Sequence, residues 1–366
     1  MPAEKALTSW ARRSRFAGSK DRAAVRDHVF QVLRCRRSYA TLGGGETGRA
    51  LMVGALRAEG RDPAEVFTGQ GHSPAALSDA ERQAGRPPEA LGDRSDLPDC
   101  MIPYFEGALG AEWCASAQAL TGRAPVVLRV NLRKVTVAAA LTALAEEGVE
   151  AEPAEISDAA LVVRAGARRV AGSRAYREGL VELQDGSSQA AMECLAVPCG
   201  GRVLDYCAGG GGKVLALAAR AEAEWFAYDA APARMRDLPE RAKRAGVRVM
   251  ILEDTVDQTG LFDLVLCDVP CSGSGTWRRT PDAKWRMTPE RLTEMTDVQA
   301  DILDRAAGLV APGGRLAYAT CSLFCEENEA QVEAFLQRHT MWRPTFQRRW
   351  PVSEQGDGFF LAAFEK

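Results

Sequence analysis

The segment Val203-Leu204-Asp205-Tyr206-Cys207-Ala208-Gly209-Gly210-Gly211-Gly212-Lys213 restricts the fold more than any other part of the chain. An apolar strand runs into four glycines and then into a helix, expected over Val214 to Ala223. A turn of this kind brings backbone close to a ligand, and it belongs at the carboxyl edge of a parallel sheet. From Gly201 onward short apolar strands alternate with helices, the signature of a doubly wound α/β sheet. The strands are predicted at Val203–Tyr206, Trp225–Tyr228, Arg248–Leu252, Leu261–Cys267 and Arg315–Ala319. Before the last of them a helix is expected to start with Thr288 as N-cap, Pro289 at its first position and Glu290 in its first turn.

Upstream the pattern changes twice. From Asp21 to about Val66, apolar residues such as Val25, Val29, Val32, Leu33, Leu51 and Leu56 recur at helical spacing and predict a small bundle. Residues 71–98, rich in Pro, Ser, Asp and Gly, read as a long connection or poorly ordered excursion, with helices resuming near Ile102. Val126 to Val130 reads as a strand, Val137 to Glu147 as a helix closed by Gly148, and Leu161 to Val163 as a strand, which suggests a small α/β module. The expected division is therefore a helical region over 1–122, a small α/β module over 123–197 and a Rossmann-like sheet over 198–366. A chain of 366 residues has length enough for several such units.

Composition narrows the class. No apolar run approaches the roughly 20 residues that span a bilayer, and MPAEKALTSW lacks the apolar core of a secretory signal, so a cytoplasmic protein without membrane contact is expected. The ten cysteines then read as reduced thiols. The net charge of −3 hides three basic clusters. Before Ala40, Lys5, Arg12, Arg13, Arg15, Lys20, Arg22, Arg26, Arg34, Arg36 and Arg37 face only Glu4, Asp21 and Asp27. A second cluster holds Arg164, Arg168, Arg169, Arg174 and Arg177. A third sets Arg278, Arg279, Lys284 and Arg286 around Trp277 and Trp285, charge for phosphates beside rings for stacking. Each alone reads as a solvated face; together they point to a polyanionic partner.

The glycine turn is neither of the familiar phosphate loops. A P-loop needs Gly at 207 and Ser or Thr at 214, where this chain has Cys207 and Val214, and Val214 also occupies the last glycine position of the dinucleotide pattern. Asp229 ends the second strand, where an acid accepts hydrogen bonds from ribose hydroxyls, and Asp254 follows the third. A nucleoside without pyrophosphate fits this arrangement. S-adenosylmethionine is such a ligand, its adenosine directed to Asp229 and its aminoacyl tail to the turn and helix N-terminus.

After the fourth strand comes Asp268-Val269-Pro270-Cys271-Ser272-Gly273-Ser274-Gly275, and after the fifth Thr320-Cys321-Ser322. Both segments belong at the carboxyl edge, so two thiols and a carboxylate converge beside the cofactor crevice. Cys267 with Cys271, and Cys321 with Cys325, are spaced as metal ligands are. In an extended strand, however, that spacing places the thiols about 13 Å apart, and no metal is expected. Thiol and acid together suit the methylation of carbon 5 of cytosine. That carbon becomes nucleophilic only when a thiolate adds to carbon 6, with a proton or hydrogen bond supplied at N3. An aspartic acid kept protonated by burial would supply it, and a second thiolate would remove the carbon 5 proton afterwards. The chemistry alone leaves either cysteine as the attacker.

These residues resemble the Sun-domain (Fmu, RsmB-like) family of RNA cytosine-C5 methyltransferases. The resemblance runs through Gly18-Ser19-Lys20-Asp21-Arg22, Leu128-Arg129-Val130-Asn131, Gln184-Asp185-Gly186-Ser187-Ser188-Gln189 and the glycine turn. It is strongest in Asp268 to Gly273, in Arg278-Arg279-Thr280-Pro281-Asp282-Ala283-Lys284-Trp285, in Ala319-Thr320-Cys321-Ser322 through Glu326-Glu327-Asn328-Glu329, and in Asp357-Gly358-Phe359-Phe360. It implies an S-adenosylmethionine methyltransferase fold of Rossmann-like type, with Cys321 as nucleophile, Cys271 assisting release and Asp268 as third catalytic residue. The cofactor pocket would be lined by Cys207, Ala208, Gly209, Gly210, Gly211, Gly212, Lys213, Asp229, Asp254 and Asp268. It also implies a helical RNA-binding region, small-subunit ribosomal RNA as substrate and a monomeric enzyme. Two positions depart from the family pattern, which usually carries Ala-Pro in place of Gly209-Gly210 and Pro in place of Cys325. The first change loosens the turn. A non-catalytic RNA-binding assembly factor on the same fold is the rival reading. A DNA cytosine methyltransferase would share only the Pro-Cys segment.

Overall fold

A computed structural model of the chain describes residues 2–253 and 256–366. It divides into two units: Met1–Arg123 with Thr276–Pro289, and Ala124–Gly275 with Glu290–Lys366.

The first unit is helical, with helices Ala3–Arg13, Ser19–Arg34, Arg36–Gly43, Gly48–Ala58, Ile102–Leu109 and Trp113–Ala119 among its elements. Thr47 caps Gly48–Ala58 by accepting the Ala50 amide at 3.2 Å. That helix packs against Arg36–Gly43 with no room for a side chain at Gly54, where a Cβ would overlap the Tyr39 carbonyl. Residues 71–98 are mostly without regular structure but are tied down. Leu77 and Leu97 are buried, and the Arg57 guanidinium donates to the carbonyls of Leu42, Ala84, Glu81 and Arg82.

Residues 276–289 return to this unit and close the end of Ser19–Arg34. A helix C-terminus leaves carbonyls without partners. Here Trp285 Nε1 donates to Leu33 O at 2.6 Å and Lys284 Nζ to Arg34 O at 2.7 Å, while Arg34 Nε donates to Arg278 O at 2.7 Å. Trp277 is fully buried against Phe105, with ring centroids 5.8 Å apart. For three members of the third basic cluster the structure corrects the sequence reading, while Arg279 and Arg286 stay exposed. Trp277, Arg278 and Lys284 are buried and serve the fold, so they offer nucleic acid neither ring nor charge.

The second unit holds two sheets. The smaller has strands β1 (Val127–Val130), β2 (Glu150–Pro153), β3 (Ala160–Ala165) and β4 (Val181–Leu183), antiparallel in the order β2-β3-β1-β4. Leu128, Val130 and Leu161 pack with Ala140 and Leu144 of the helix Val137–Ala145. The larger has β5 (Arg202–Asp205), β6 (Glu224–Ala227), β7 (Val249–Ile251), β8 (Phe262–Asp268), β9 (Val310–Thr320), β10 (Arg343–Trp350) and β11 (Phe359–Glu365). Their order is β10-β11-β9-β8-β5-β6-β7, with β9-β8-β5-β6-β7 parallel and β11 antiparallel to both neighbours. The five expected strands are all present. The glycine-turn helix is shorter than expected, Gly212–Ala218, and Pro289–Ala307 starts at the expected proline. Strand order reverses between β5 and β8, so the open crevice lies at their carboxyl ends, where the glycine turn, residues 268–275 and residues 320–322 emerge.

Candidate active site

At the end of β5 the turn is held from both sides. Gly209 and Gly211 have φ of +49° and +78°, and a Cβ on Gly211 would overlap Leu238. Asp205 is buried; its Oδ2 accepts the Val214 amide at 3.2 Å, and its Oδ1 has no hydrogen-bond partner among the described residues. Burial pushes this carboxyl up to about 7, against the pull of Lys213 and helped by the charges of Asp268 and Asp229. Asp229, expected to serve ribose hydroxyls, braces the turn: its Oδ2 accepts Gly209 N and its Oδ1 accepts Ala231 N, both at 2.9 Å, with Arg234 Nη1 at 3.2 Å. Each carboxylate oxygen keeps acceptor capacity for a ligand. Cys207 is half-buried and its thiol is raised, first by burial and then by Asp205. Ala208 is buried, and Asp254 lies outside the described residues.

The small sheet reaches the same turn. Arg129 Nη1 of β1 donates to Gly212 O at 2.8 Å, and Gln184 Nε2 to the same oxygen at 3.2 Å. Glu182 of β4 holds Arg244 at 2.7 Å and Arg241 at 3.4 Å, and Arg241 in turn donates to Gly210 O. A Cβ on Gly210 would sit 2.7 Å from Arg241 Nη1, so the guanidinium occupies space that the missing side chain leaves. Sequence reasoning assigns none of Arg129, Glu182, Gln184 and Arg241 to the site. Leu128-Arg129-Val130-Asn131 and Gln184-Asp185-Gly186 carry the resemblance without a role attached, and Arg241 bears no signal.

At the ends of β8 and β9 the two thiols meet. Cys271 Sγ and Cys321 Sγ are 3.4 Å apart, and both residues are half-buried. A polar cluster beneath them joins their loops. Glu327, fully buried, accepts Ser272 N at 2.7 Å and Gln299 Nε2 at 2.9 Å on Oε1, and the hydroxyls of Ser272 (2.5 Å) and Ser322 on Oε2. Ser274 Oγ lies 3.1 Å from Ser322 Oγ and accepts Leu323 N at 2.8 Å. Tyr318 OH donates to Glu327 O at 2.5 Å, and Thr320 Oγ1 donates to Asn328 Oδ1 at 2.6 Å. The Cys271 thiol is pushed well up, first by its hydrogen bond with Cys321, then by burial and by the charges of Cys321 and Glu327.

Asp268 departs from expectation. Burial is expected to keep it protonated, but its side chain is 30% exposed and ion-paired with Lys213 Nζ at 2.5 Å. The Lys213 ammonium is favoured: burial lowers it, but Asp268, Asp205 and Cys321 together raise it. The arrangement offers one thiol, a second thiol touching it and an ammonium–carboxylate pair, all at one sheet edge. Cys325 is half-buried, and Arg349 Nη2 approaches its sulfur at 3.8 Å.

Known proteins share this architecture. The family described as 16S rRNA methyltransferase RsmB/F matches residues 192–365, and the ferredoxin-like domain of RsmF/B-like methyltransferases matches residues 97–169. The ribosomal RNA small subunit methyltransferase B of Salmonella arizonae is 34% identical over 288 residues, 74% of this chain. The chain belongs to the RsmB/F family. It spans 66% of the length of that relative, and the same share of the Escherichia coli O6:K15:H31 protein of the same name, to which it is 34% identical over 287 residues. Among solved structures, PH0851 superposes with a TM-score of 0.78 at 24% identity, over all of this chain and 95% of its own. NSun6 from Pyrococcus horikoshii with SFG gives a TM-score of 0.63 at 18% identity, over 74% of this chain and 98% of its own. The fold is that of the S-adenosylmethionine methyltransferases.

Proposed function

We propose that the chain methylates carbon 5 of a cytosine in small-subunit ribosomal RNA, with Cys321 as nucleophile, Cys271 as the base that permits release, and S-adenosylmethionine as methyl donor. The observation that carries this reading is the 3.4 Å contact between the sulfurs of Cys271 and Cys321. A single pyrimidine ring bonded to one sulfur at carbon 6 then has its carbon 5 beside the other.

The cofactor, when bound, supplies an electrophilic methyl group. The turn suits such a ligand: Gly209 to Gly212 present backbone without side chains, and the buried Oδ1 of Asp205 beside them has no partner among the described residues. Cys321 Sγ bonds to carbon 6, and the Lys213–Asp268 pair supports the negative charge and hydrogen bonding that develop at N3. Carbon 5 then takes up the methyl group as its bond to the sulfonium sulfur breaks, leaving S-adenosylhomocysteine. Cys271 removes the carbon 5 proton, the ring regains its double bond, and the Cys321 sulfur leaves.

The rise in the Cys271 thiol supports this order of steps. Its first cause is Cys321 itself. Before reaction Cys271 therefore keeps its proton and is the poorer attacker. Once Cys321 is bonded to carbon the first of those causes is removed, and the Cys271 thiol, still held up by burial and Glu327, is less strongly raised when a base is required.

Denaturing gels after incubation with cofactor and small-subunit ribosomal RNA test the roles. Cys271→Ala accumulates a covalent protein–RNA adduct, and Cys321→Ala forms none. An adduct with Cys321→Ala reverses the assignment. Wild-type protein that binds S-adenosylhomocysteine and RNA but forms no 5-methylcytosine supports the assembly-factor reading instead.

A further inference from the structure

The helical unit contains a cavity of about 380 Å³ lined by Arg26, Asp27, Phe30, Arg34, Arg123 and Arg279, with His28 and Gln31 completing the wall. Four guanidiniums face one carboxylate. Asp27 lies 3.8 Å from Arg123, and Glu4 takes Arg26 at 2.8 Å. Arg34 is 8% exposed. Its Nε donates to Arg278 O and its Nη1 to Gln31 Oε1 at 3.2 Å. Burial and the like charge of Arg123 lower Arg34 while Cys35 and Asp27 raise it, and a lining with four guanidiniums and one carboxylate suits an anionic ligand. Phe30 places a ring beside Arg26, with the guanidinium carbon 5.6 Å from its centroid.

We propose that this cavity is a phosphodiester subsite for single-stranded RNA, with Arg34, Arg123 and Arg279 around one phosphate and Phe30 beside the neighbouring base. The inference rests on the RNA reading above and adds an anchoring point within the helical unit. Guanidinium forks suit phosphate oxygens, and the cavity has the volume of a small-ligand pocket. Base stacking on an aromatic ring tolerates any sequence, so the subsite anchors substrate without selecting the target cytosine. Asp27 is the opposing charge in the wall, and its presence weakens the anchor.

Fluorescence anisotropy of the full chain with a labelled mixed-sequence 20-nucleotide oligoribonucleotide, titrated across salt, tests this. Removing one arginine–phosphate interaction with a single strand lowers the salt slope by about 0.7, which near 0.1 M salt is on the order of a five-fold drop in affinity. Arg123→Ala and Arg279→Ala should each show that drop. Asp27→Asn should bind several-fold more tightly, a gain that structural damage would not produce. Arg82→Ala, exposed and away from the cavity, should bind as wild type, and all variants should retain S-adenosylhomocysteine binding. Equal weakening in all three arginine variants would indicate a diffuse field and overturn the subsite, as would an unchanged Asp27→Asn. Competition by millimolar inorganic phosphate as strong as by unlabelled RNA would assign the cavity to free anion and overturn it too. Wild-type protein that fails to bind the oligonucleotide overturns the RNA reading as well; wild-type binding with unchanged cavity variants overturns the subsite alone.

Discussion

Replacing Glu327 tests whether the polar cluster beneath the two cysteines holds their loops together. In Glu327→Ala the hydroxyls of Ser272, Ser274 and Ser322, already within 3.1 to 3.2 Å of one another, can pair among themselves. The Ser272 amide and Gln299 Nε2 cannot, because both point at the vanished Oε1 in a site closed to water. Gln299 Nε2 retains its bond to Pro270 O. Two buried donors deprived of this acceptor, at about 1–3 kcal/mol each, put the cost near 4 kcal/mol. Glu327→Gln keeps Oε1 for both donors, and its amide can donate to the serine oxygens, so its cost should be about 1 kcal/mol. Urea unfolding of the full chain followed by tryptophan fluorescence reads the difference. With a slope of about 2 kcal/mol per molar, the alanine variant should drop by about 2 M in midpoint and the glutamine variant by about 0.5 M. Methyl transfer should fall far more in the alanine variant, since Cys271 and Cys321 are then no longer held together. Equal shifts in the two variants, or an alanine shift no larger than that of glutamine, would refute the reasoning.

Gly211→Ala forces a left-handed conformation on a residue with a Cβ and drives that atom into Leu238. The strain of about 1–2 kcal/mol, before any movement of Leu238, should weaken S-adenosylhomocysteine binding by about five- to thirty-fold in calorimetry. Arg241→Met removes the donor to Gly210 O and leaves Glu182 with Arg244. If that brace replaces the stiffness of Ala-Pro, the affinity for S-adenosylhomocysteine falls on the order of ten-fold; unchanged affinity would mean that the glycine turn holds its own shape. Asp205 gives the pH dependence. Its carboxyl is raised from 3.8 to about 7, so between these values the folded chain holds a proton that the unfolded chain has released. Its contribution is therefore complete below about pH 4 and is lost as the pH rises through 7, with a fall of at most about 4 kcal/mol. Asp205→Asn, which can still accept the Val214 amide, should flatten the urea midpoint across that window, and a profile as steep as wild type would assign the slope to other groups.

Buried parallel strands are legible because both their faces are covered, which leaves apolar runs such as Val203-Leu204 and Leu264-Val265-Leu266 between glycines and acids. Three of the four strands that sequence reasoning misses lack that imprint; the fourth, β11, is an apolar run buried over six of its seven residues that the sequence reading took only as a family motif. Strand β2 is Glu-Ala-Glu-Pro and largely exposed, β4 has three residues, and β10 carries Arg343, Gln347, Arg348 and Arg349 on an edge of the sheet. Charge is the less reliable guide. Arg278, Lys284 and Trp277 have the composition of a nucleic-acid surface, yet they close a helix end and fill a core. Composition does not record which direction a side chain faces.

The candidate site divides in the same way. Topology alone brings the ends of β5, β8 and β9 to one edge, so Cys271, Cys321, Asp268 and the glycine turn are readable from motif order. What sets their protonation is not. Lys213 lies 55 positions from Asp268 and Glu327 lies 55 from Ser272, separations that carry no periodic signal. The partner of Asp268 is missed for the same reason. A carboxyl at a strand end reads as a group tuned by burial, whereas here it stands 2.5 Å from the Lys213 ammonium, whose hold on its proton Asp268 strengthens. In the proposed reaction this pair is what would support hydrogen bonding at N3. Lys213→Met should therefore depress methyl transfer more than it depresses cofactor binding, and an equal loss in both would return the lysine to the turn alone.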